Sequence, residues 1–211
     1  MIEEYNLPRG NKVILFGGIK GLIRDGDELR NLLLREEPGE ILIGISPEEL
    51  KGLQEFVKEP FEMGLSEYET MYGVLLSIYG GVMTPPPIYT EAVIYAGDRN
   101  IPIHALDMEE SDFGDVYTSQ IGTWDMIRHS VRKRRLMKRE FSADTPEGFV
   151  DKWNQYIERI KGFKAIESAR LQTMQQGLLS IVSDSSKKKF VVVVEYEKFR
   201  GMADFIVSQA M

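Results

Sequence analysis

The sequence predicts an α/β fold: a mostly parallel central sheet, surrounding helices and a helical insertion before the last strand. Short apolar runs at residues 13–16, 41–45 and 190–194 are typical of strands that are covered on both faces. Segments in which apolar residues recur at helical spacing separate these runs. With 43% hydrophobic and 28% charged residues, the 211 residues suit one globular domain, 1–211, with its own core.

The beginning of the chain predicts a strand–helix–strand unit. Residues 13–16 form the first strand and run into Gly17 and Gly18, where we expect a tight turn. An amphipathic helix follows at about 25–36, and residues 41–45 supply the second strand. Because the two strands are joined through a helix, we expect them to be parallel with a right-handed crossover.

Two capping boxes predict where the next helices begin. Ser46 with Glu49, and Ser66 with Glu69, each place a serine and a glutamate three residues apart. In this motif the two side chains satisfy the first free amides of a helix. We therefore expect one helix after each serine.

The second half of the chain contains the insertion. A helix at about 89–98 leads into a third strand at 101–106, and helical patterns then continue through an insertion at about 111–182. Lysines and arginines at positions 128–139 give one of these helices a basic face. The last elements are a fourth strand at 190–194 and a closing helix at 198–211.

Composition excludes several classes of protein. The net charge of −7 argues against a protein that coats nucleic acid, and the absence of cysteine excludes disulfides and thiolate metal sites. His104 and His129 are too far apart in sequence to indicate a metal site, so no metal or cofactor is predicted. No apolar run approaches the roughly 18 residues of a membrane span. Residues 1–10 lack the apolar segment of an export signal, so we expect a cytoplasmic protein.

Five segments, in order along the chain, resemble the motifs of one family. They are Gly17-Gly18-Ile19-Lys20, residues 38–45, residues 88–92 with the strand that ends at Asp107, Arg170 with Met174, and residues 193–201. Together they resemble the TraB/PrgY pheromone-shutdown family, which belongs to a superfamily with GumN, ChaN, Tiki and erythromycin-esterase proteins. The resemblance runs from about residue 12 to 202 and implies an α/β fold.

The resemblance also implies a site whose chemistry has changed. The family's histidines and glutamates are thought to carry out a metal-assisted hydrolysis. Lys20 and Lys198 stand at the two histidine positions, and Gly44 stands at one glutamate position. The motif's aspartate and arginine are kept as Asp107 and Arg170.

The two lysines define the predicted site. Lys20 and Lys198 fall at equivalent places in two turns that end strands, and if the family fold holds they converge on one cleft. An ammonium group repels metal cations and donates to anions, so we expect a small anionic ligand, with the Gly17 and Gly18 amides and Arg170 as further contacts.

Carboxylates near the lysines leave an alternative open. Glu195 and Glu197 occupy the glycine positions of the last motif, and either of them, if not part of a ligand site, pairs with a lysine instead. Asp107 is either an acid/base group or the cap of the helix that follows it.

We expect a diverged TraB-like protein that binds a ligand or regulates without catalysis, a pseudoenzyme with a lysine-lined cleft. One alternative is a hydrolase for a peptide or anionic substrate that uses Lys20, Asp107 and Lys198 in new catalytic roles. Another is a binding module that uses the basic helix at 128–139. The sequence leaves open whether the protein is an enzyme. Surplus apolar positions in the insertion are compatible with a homodimer.

Overall fold

The computed structural model describes residues 1–136, 141, 143–186 and 188–210, without the side chains of 132–135 and 210. These residues form a five-stranded sheet with helices on both faces, which confirms the predicted α/β class. In chain order the strands are β1 (Ile2–Leu7), β2 (Asn11–Gly18), β3 (Glu40–Ile43), β4 (Ile103–Ala105) and β5 (Lys189–Glu195).

The helices occupy the predicted regions, including the insertion before the last strand. They are α1 (Ile23–Glu36), α2 (Pro47–Lys58), α3 (Glu67–Leu76), α4 (Pro87–Arg99), α5 (Glu110–Gln120), α6 (Thr123–Leu136), α7 (Pro146–Ile157), α8 (Lys161–Ser183) and α9 (Tyr196–Ala210). Among the described helices, none is long and apolar enough to span a membrane.

The strand order β1-β2-β5-β3-β4 places the last strand of the chain in the middle of the sheet. β2 and β3 are parallel, as predicted, but they do not touch, because β5 lies between them and pairs with both. β4 pairs in parallel with β3, so the carboxyl ends of four strands share one edge. Such an edge is where open α/β sheets bind ligands.

β1 is a strand that the sequence did not predict. It pairs antiparallel with β2 at the edge of the sheet and is mostly exposed, with only Tyr5 and Leu7 packed partly against the core. β1 contains polar residues and no continuous apolar run, so the apolar-run pattern used to predict the other strands did not detect it. The backbone of Met1 extends this pairing and exchanges two hydrogen bonds with Gly17, of 2.7 and 2.8 Å.

The core lies on both faces of the sheet. Val191 and Val193 of β5 face a cluster built with α1, α2 and α4, while Val192 and Val194 face α8 and α9. Both sides of β5 are therefore buried, which explains its continuous apolar sequence. A third cluster, largely aromatic, joins α3 to α7 beyond the carboxyl edge of the sheet.

Local signals predicted the helix starts well. Both capping boxes are present, at Ser46 with Glu49 and at Ser66 with Glu69. α5 lies in the predicted helical insertion, but its bounds were not predicted, because its few apolar residues leave no strong helical pattern and it buries none of them. The basic helix is confirmed up to Leu136, and the rest of its predicted range, with Lys138 and Arg139, lies outside the described residues.

Candidate functional site

A cleft of about 950 Å³ opens at the carboxyl ends of the parallel strands. One residue from the end of each strand reaches it: Lys20 after β2, Ile45 after β3, Asp107 after β4, and Glu195 of β5. The backbone holds these ends in register, because the Asp107 amide donates to the Ile45 carbonyl at 3.1 Å. This volume lies in the range of small-molecule sites, and its position is the one where α/β sheets bind ligands.

Aromatic and apolar side chains form the far wall of the cleft. Tyr72 of α3 and Trp153 of α7 both line it, with their ring centroids 5.3 Å apart. Phe61, Met63 and Leu65, from the segment between α2 and α3, line it as well and are exposed. The cleft therefore combines a polar floor at the sheet with an apolar wall, as ligand sites commonly do.

Two carboxyl groups lie next to each other on the floor, and we call Glu195 and Glu197 the carboxyl pair. Glu195 ends β5 and Glu197 falls in the first turn of α9, where both side chains line the cleft. The Lys20 ammonium lies 3.6 Å from Glu195, and its side chain stays 43% exposed. Glu195 raises the pKa of Lys20, and the surrounding protein opposes this shift only in part.

Glu197 is the most perturbed acid of the cleft. The side chain lines the cleft, and the residue is exposed to solvent. Desolvation by the surrounding protein first, and the neighbouring Glu195 carboxylate second, raise the pKa of Glu197 to about 8. A carboxyl group beside a carboxylate loses its proton less readily, because the two negative charges would repel each other. The carboxyl pair therefore favours a state that carries a proton.

Four charged residues are joined by successive ion pairs, and we call them the ion cluster: Asp107, Arg170, Glu167 and Lys198. Arg170 donates to Asp107 Oδ2 through Nε at 2.7 Å and through Nη2 at 2.5 Å. It also contacts Glu167 at 3.1 Å, and Lys198 donates to the other oxygen of Glu167. Burial works against the charge of Glu167, but Arg170 and Lys198 outweigh it and lower the pKa of Glu167.

The ion cluster corrects the predicted role of Lys198. The prediction that both lysines line one cleft is wrong for Lys198, whose side chain is 6% exposed and points to Glu167 of α8. The first turn of α9 buries Lys198 against α8, while Glu197 next to it faces the cleft. Asp107 is held by Arg170 and does not cap α5, whose N-cap residue is Glu109.

The glycines also have another role than predicted. Gly17 and Gly18 belong to β2, and the turn comes later, at Gly21, whose φ of +100° is unfavourable for other residues. The Gly17 amide donates to Met1, so it is not available to an anion. A side chain at Gly17 would collide with Phe199, and one at Gly18 with Ile88. These glycines allow close packing, and neither lines the cleft.

The charge of the cleft differs from the prediction too. Seven carboxylates and only two permanent cations, Lys20 and Arg170, line it among the described residues. The carboxylates are Glu48, Glu49, Glu69, Asp107, Glu110, Glu195 and Glu197. Lysine and arginine that already face carboxylates attract an anion weakly, so the charge balance disfavours the small anionic ligand expected from the sequence.

Several of these residues had signals that sequence reasoning did not use. Glu49 and Glu69 were identified as capping residues, and the structure shows that both also line the cleft. Glu167 precedes Arg170 by three residues, a spacing that predicts a pair on one helix face. Asp25 is buried and accepts the Ile19 amide at 2.6 Å, which holds the loop that carries Lys20.

Metal-ligating side chains do not gather in the described part of the chain. No group of three or more His, Cys, Asp or Glu residues that could hold a metal ion is found there. His104 contacts Glu40 of β3 at 3.1 Å, and His129 stacks on Tyr68 with ring centroids 5.1 Å apart.

No protein-family model matches this chain, and no curated protein sequence matches it. The resemblance to the TraB/PrgY family therefore stays a prediction that rests on the five segments quoted above. Function has to be argued from the cleft itself.

Proposed function

We propose that this protein is a ligand-binding protein that takes a small organic molecule into the cleft at the carboxyl edge of its sheet. One observation carries the proposal: a cleft of about 950 Å³ with charged groups on its floor and aromatic rings on its wall. A molecule of roughly 15 to 25 heavy atoms is typical of cavities with this volume and lining.

Binding without catalysis is the better supported form of this proposal. The three residues of the hydrolase alternative are engaged separately: Lys20 with Glu195, Asp107 with Arg170, and Lys198 with Glu167. A nucleophile or base needs a free side chain within reach of the substrate, and Lys198 does not line the cleft. Descent from a TraB-like hydrolase, the homodimer and a role for the basic helix stay predictions.

A cleft-filling substitution tests the proposal. Gly52 of α2 lines the cleft, and a side chain added there meets open space. The probe is N-phenyl-1-naphthylamine, an uncharged dye that fluoresces more strongly in apolar surroundings. We expect the wild-type protein to enhance its fluorescence at micromolar concentrations, and Gly52→Trp to weaken binding by about tenfold or more.

A second helical glycine supplies the matched control. Gly97 of α4 is exposed, lies outside the cleft and also has open space around it. Gly97→Trp makes the same chemical change and should leave dye binding as in the wild type. The proposal is overturned if the wild-type protein does not bind the dye, or if both variants bind it equally well.

A further inference from the structure

Among the residues that the structure describes, the cations that line the cleft leave part of its negative charge without an ion pair. Arg170, one of its two cations, is committed to Asp107 at 2.7 Å and to Glu167 at 3.1 Å. Lys20, the other cation, lies 3.6 Å from Glu195, which is beyond hydrogen-bond distance. Neither cation reaches Glu197 with a direct ion pair of this kind. The floor of the cleft therefore offers a place for one more positive charge.

The carboxyl pair is the strongest feature of that place. Glu195 and Glu197 both line the cleft, and the Glu195 carboxylate helps to raise the pKa of Glu197. Two carboxyl groups this close repel each other once the proton leaves, and a bound cation removes the repulsion. An ammonium group can accept this role because it supplies both a positive charge and hydrogen-bond donors to the two oxygens.

The wall of the cleft suits the remainder of such a ligand. Tyr72 and Trp153 supply aromatic faces, and the ring of Tyr89 lines the cleft beside the carboxyl pair. Aromatic faces attract ammonium groups and also bury apolar carbon. Phe61 and Met63 are exposed at the cleft, where an apolar ligand would cover them.

We propose that the ligand is an organic cation, a protonated amine on an apolar body, whose ammonium group binds at Glu195 and Glu197. This inference rests on the proposed function and names the class of ligand. Because the pKa of Glu197 is raised, a proton that it carries leaves to solvent when the ammonium group binds, and the carboxylate that forms pairs with that group in this exchange. Charge is balanced, because one positive charge enters the site for each proton that leaves.

The charges around Glu197 decide whether this exchange happens near neutral pH. Glu195 favours the protonated form of Glu197, and Lys198 on the same helix opposes it. The other charged or titratable groups that line the cleft in the described part of the chain are Lys20, Glu48, Glu49, Tyr68, Glu69, Tyr72, Tyr89, Asp107, Glu110, His129 and Arg170. Burial first, and Glu197 second, raise the pKa of Tyr72, so this phenol stays neutral and does not compete for the proton.

Three probes that share one ring system separate the ligand class from binding itself. They are 1-naphthylmethylamine, 1-naphthalenemethanol and 1-naphthoate, which are cationic, neutral and anionic at neutral pH. We expect the amine to bind about tenfold or more tightly than the alcohol, and the carboxylate to bind more weakly than the alcohol. If the alcohol binds and the amine binds no better, the ligand class is wrong while the proposed function stands. If none of the three binds, both fail.

Variants that replace a carboxyl group by an amide test which residues cause the preference for the amine over the alcohol. Glu195→Gln and Glu197→Gln should each bring the amine to within about threefold of the alcohol, without changing the affinity for the alcohol. Glu55 is an exposed residue of α2 that does not line the cleft, so Glu55→Gln is the matched control and should keep the full preference. A preference that survives in Glu197→Gln would overturn the proposed position of the ammonium group.

Proton release gives a readout that a merely structural role would not produce. Titration calorimetry at neutral pH, in two buffers with different heats of ionisation, measures how many protons leave for each amine bound. We expect a net release from the wild-type protein and from Glu55→Gln, and none from Glu197→Gln. The absence of release from the wild-type protein would contradict the exchange.

Discussion

The ion cluster and the carboxyl pair lie at the same edge of the same sheet, yet their charges are arranged differently. In the ion cluster, two acids alternate with two bases, and every charge contacts an opposite one. In the carboxyl pair, Glu195 lies 3.6 Å from Lys20, which is 43% exposed, and Glu197 has no ion pair among the described residues. The same types of charged residue occur in both groups. A group in which every charge contacts an opposite charge stabilises the fold, whereas a group with an excess of one charge is a candidate binding site.

The largest expected effect comes from breaking the ion cluster. Asp107→Ala leaves Arg170 in a poorly solvated position without the carboxylate that accepts two of its hydrogen bonds, so we expect the free energy of unfolding to fall by about 3 kcal/mol. Urea denaturation measures this change. The control is Glu4→Gln, which removes an exposed pair with Lys12 at 2.7 Å and should cost less than about 1 kcal/mol. If Asp107→Ala and Glu4→Gln lower the free energy of unfolding equally, the ion cluster is no more important for stability than an exposed ion pair.

A smaller loss is expected at the other end of the ion cluster. Lys198→Met keeps the apolar stem in its buried place and removes the charge, while Glu167 keeps Arg170 as a partner. We expect a loss of about 1 to 2 kcal/mol in the free energy of unfolding, measured in the same urea experiment. Dye binding in the cleft should not change, because Lys198 does not line it. A large loss of dye affinity would show that Lys198 contributes to ligand binding in the cleft.

The raised pKa of Glu197 in the carboxyl pair should make the free energy of unfolding depend on pH. The folded pKa of Glu197 is raised above its ordinary value of 4.5, so the folded state binds this proton more tightly than the unfolded state does. The stabilisation is therefore present at low pH and is lost as the pH rises through the folded pKa. Between about pH 5 and pH 9 we expect the wild-type protein to lose about 1 kcal/mol relative to Glu197→Gln, a modest value because solvent reaches the side chain.

The same comparison with Glu55→Gln controls for a change of net charge, since Glu55 lies outside the cleft. Its stability should follow that of the wild-type protein across the whole pH range. If Glu197→Gln also follows the wild-type curve, the pKa of Glu197 is not raised in the folded protein.

The smallest effect on stability is expected at Lys20. Its ion pair with Glu195 is long and its side chain is partly exposed, so Lys20→Met should change the free energy of unfolding by less than about 0.5 kcal/mol. The variant removes a cation that competes for Glu195, so the affinity for 1-naphthylmethylamine should rise by roughly twofold to fivefold. Displacement of the fluorescent dye measures this affinity. A fall in amine affinity would show that Lys20 supports the ligand instead of competing with it.

The site was only partly predictable because its residues come together from distant parts of the chain. Lys20, Asp107, Glu195 and Glu197 were all identified as site residues from the positions that they take in the motif resemblance, and all four line the cleft. Lys198 was identified by the same logic, but its ammonium group turns to Glu167, which lies 31 residues earlier in the chain. Residues next to each other in sequence face opposite sides at a strand–helix junction, and only packing shows which side each one takes.

The sequence by itself determined the class of fold and the main helix starts. Apolar runs and capping boxes act over a few residues, so strands such as β5 and helices such as α2 can be predicted from local patterns. The tertiary structure alone decided that β5 inserts between β2 and β3, that polar β1 joins the sheet, and that the cleft is acidic. These properties depend on contacts between distant segments, whose energies no local pattern contains.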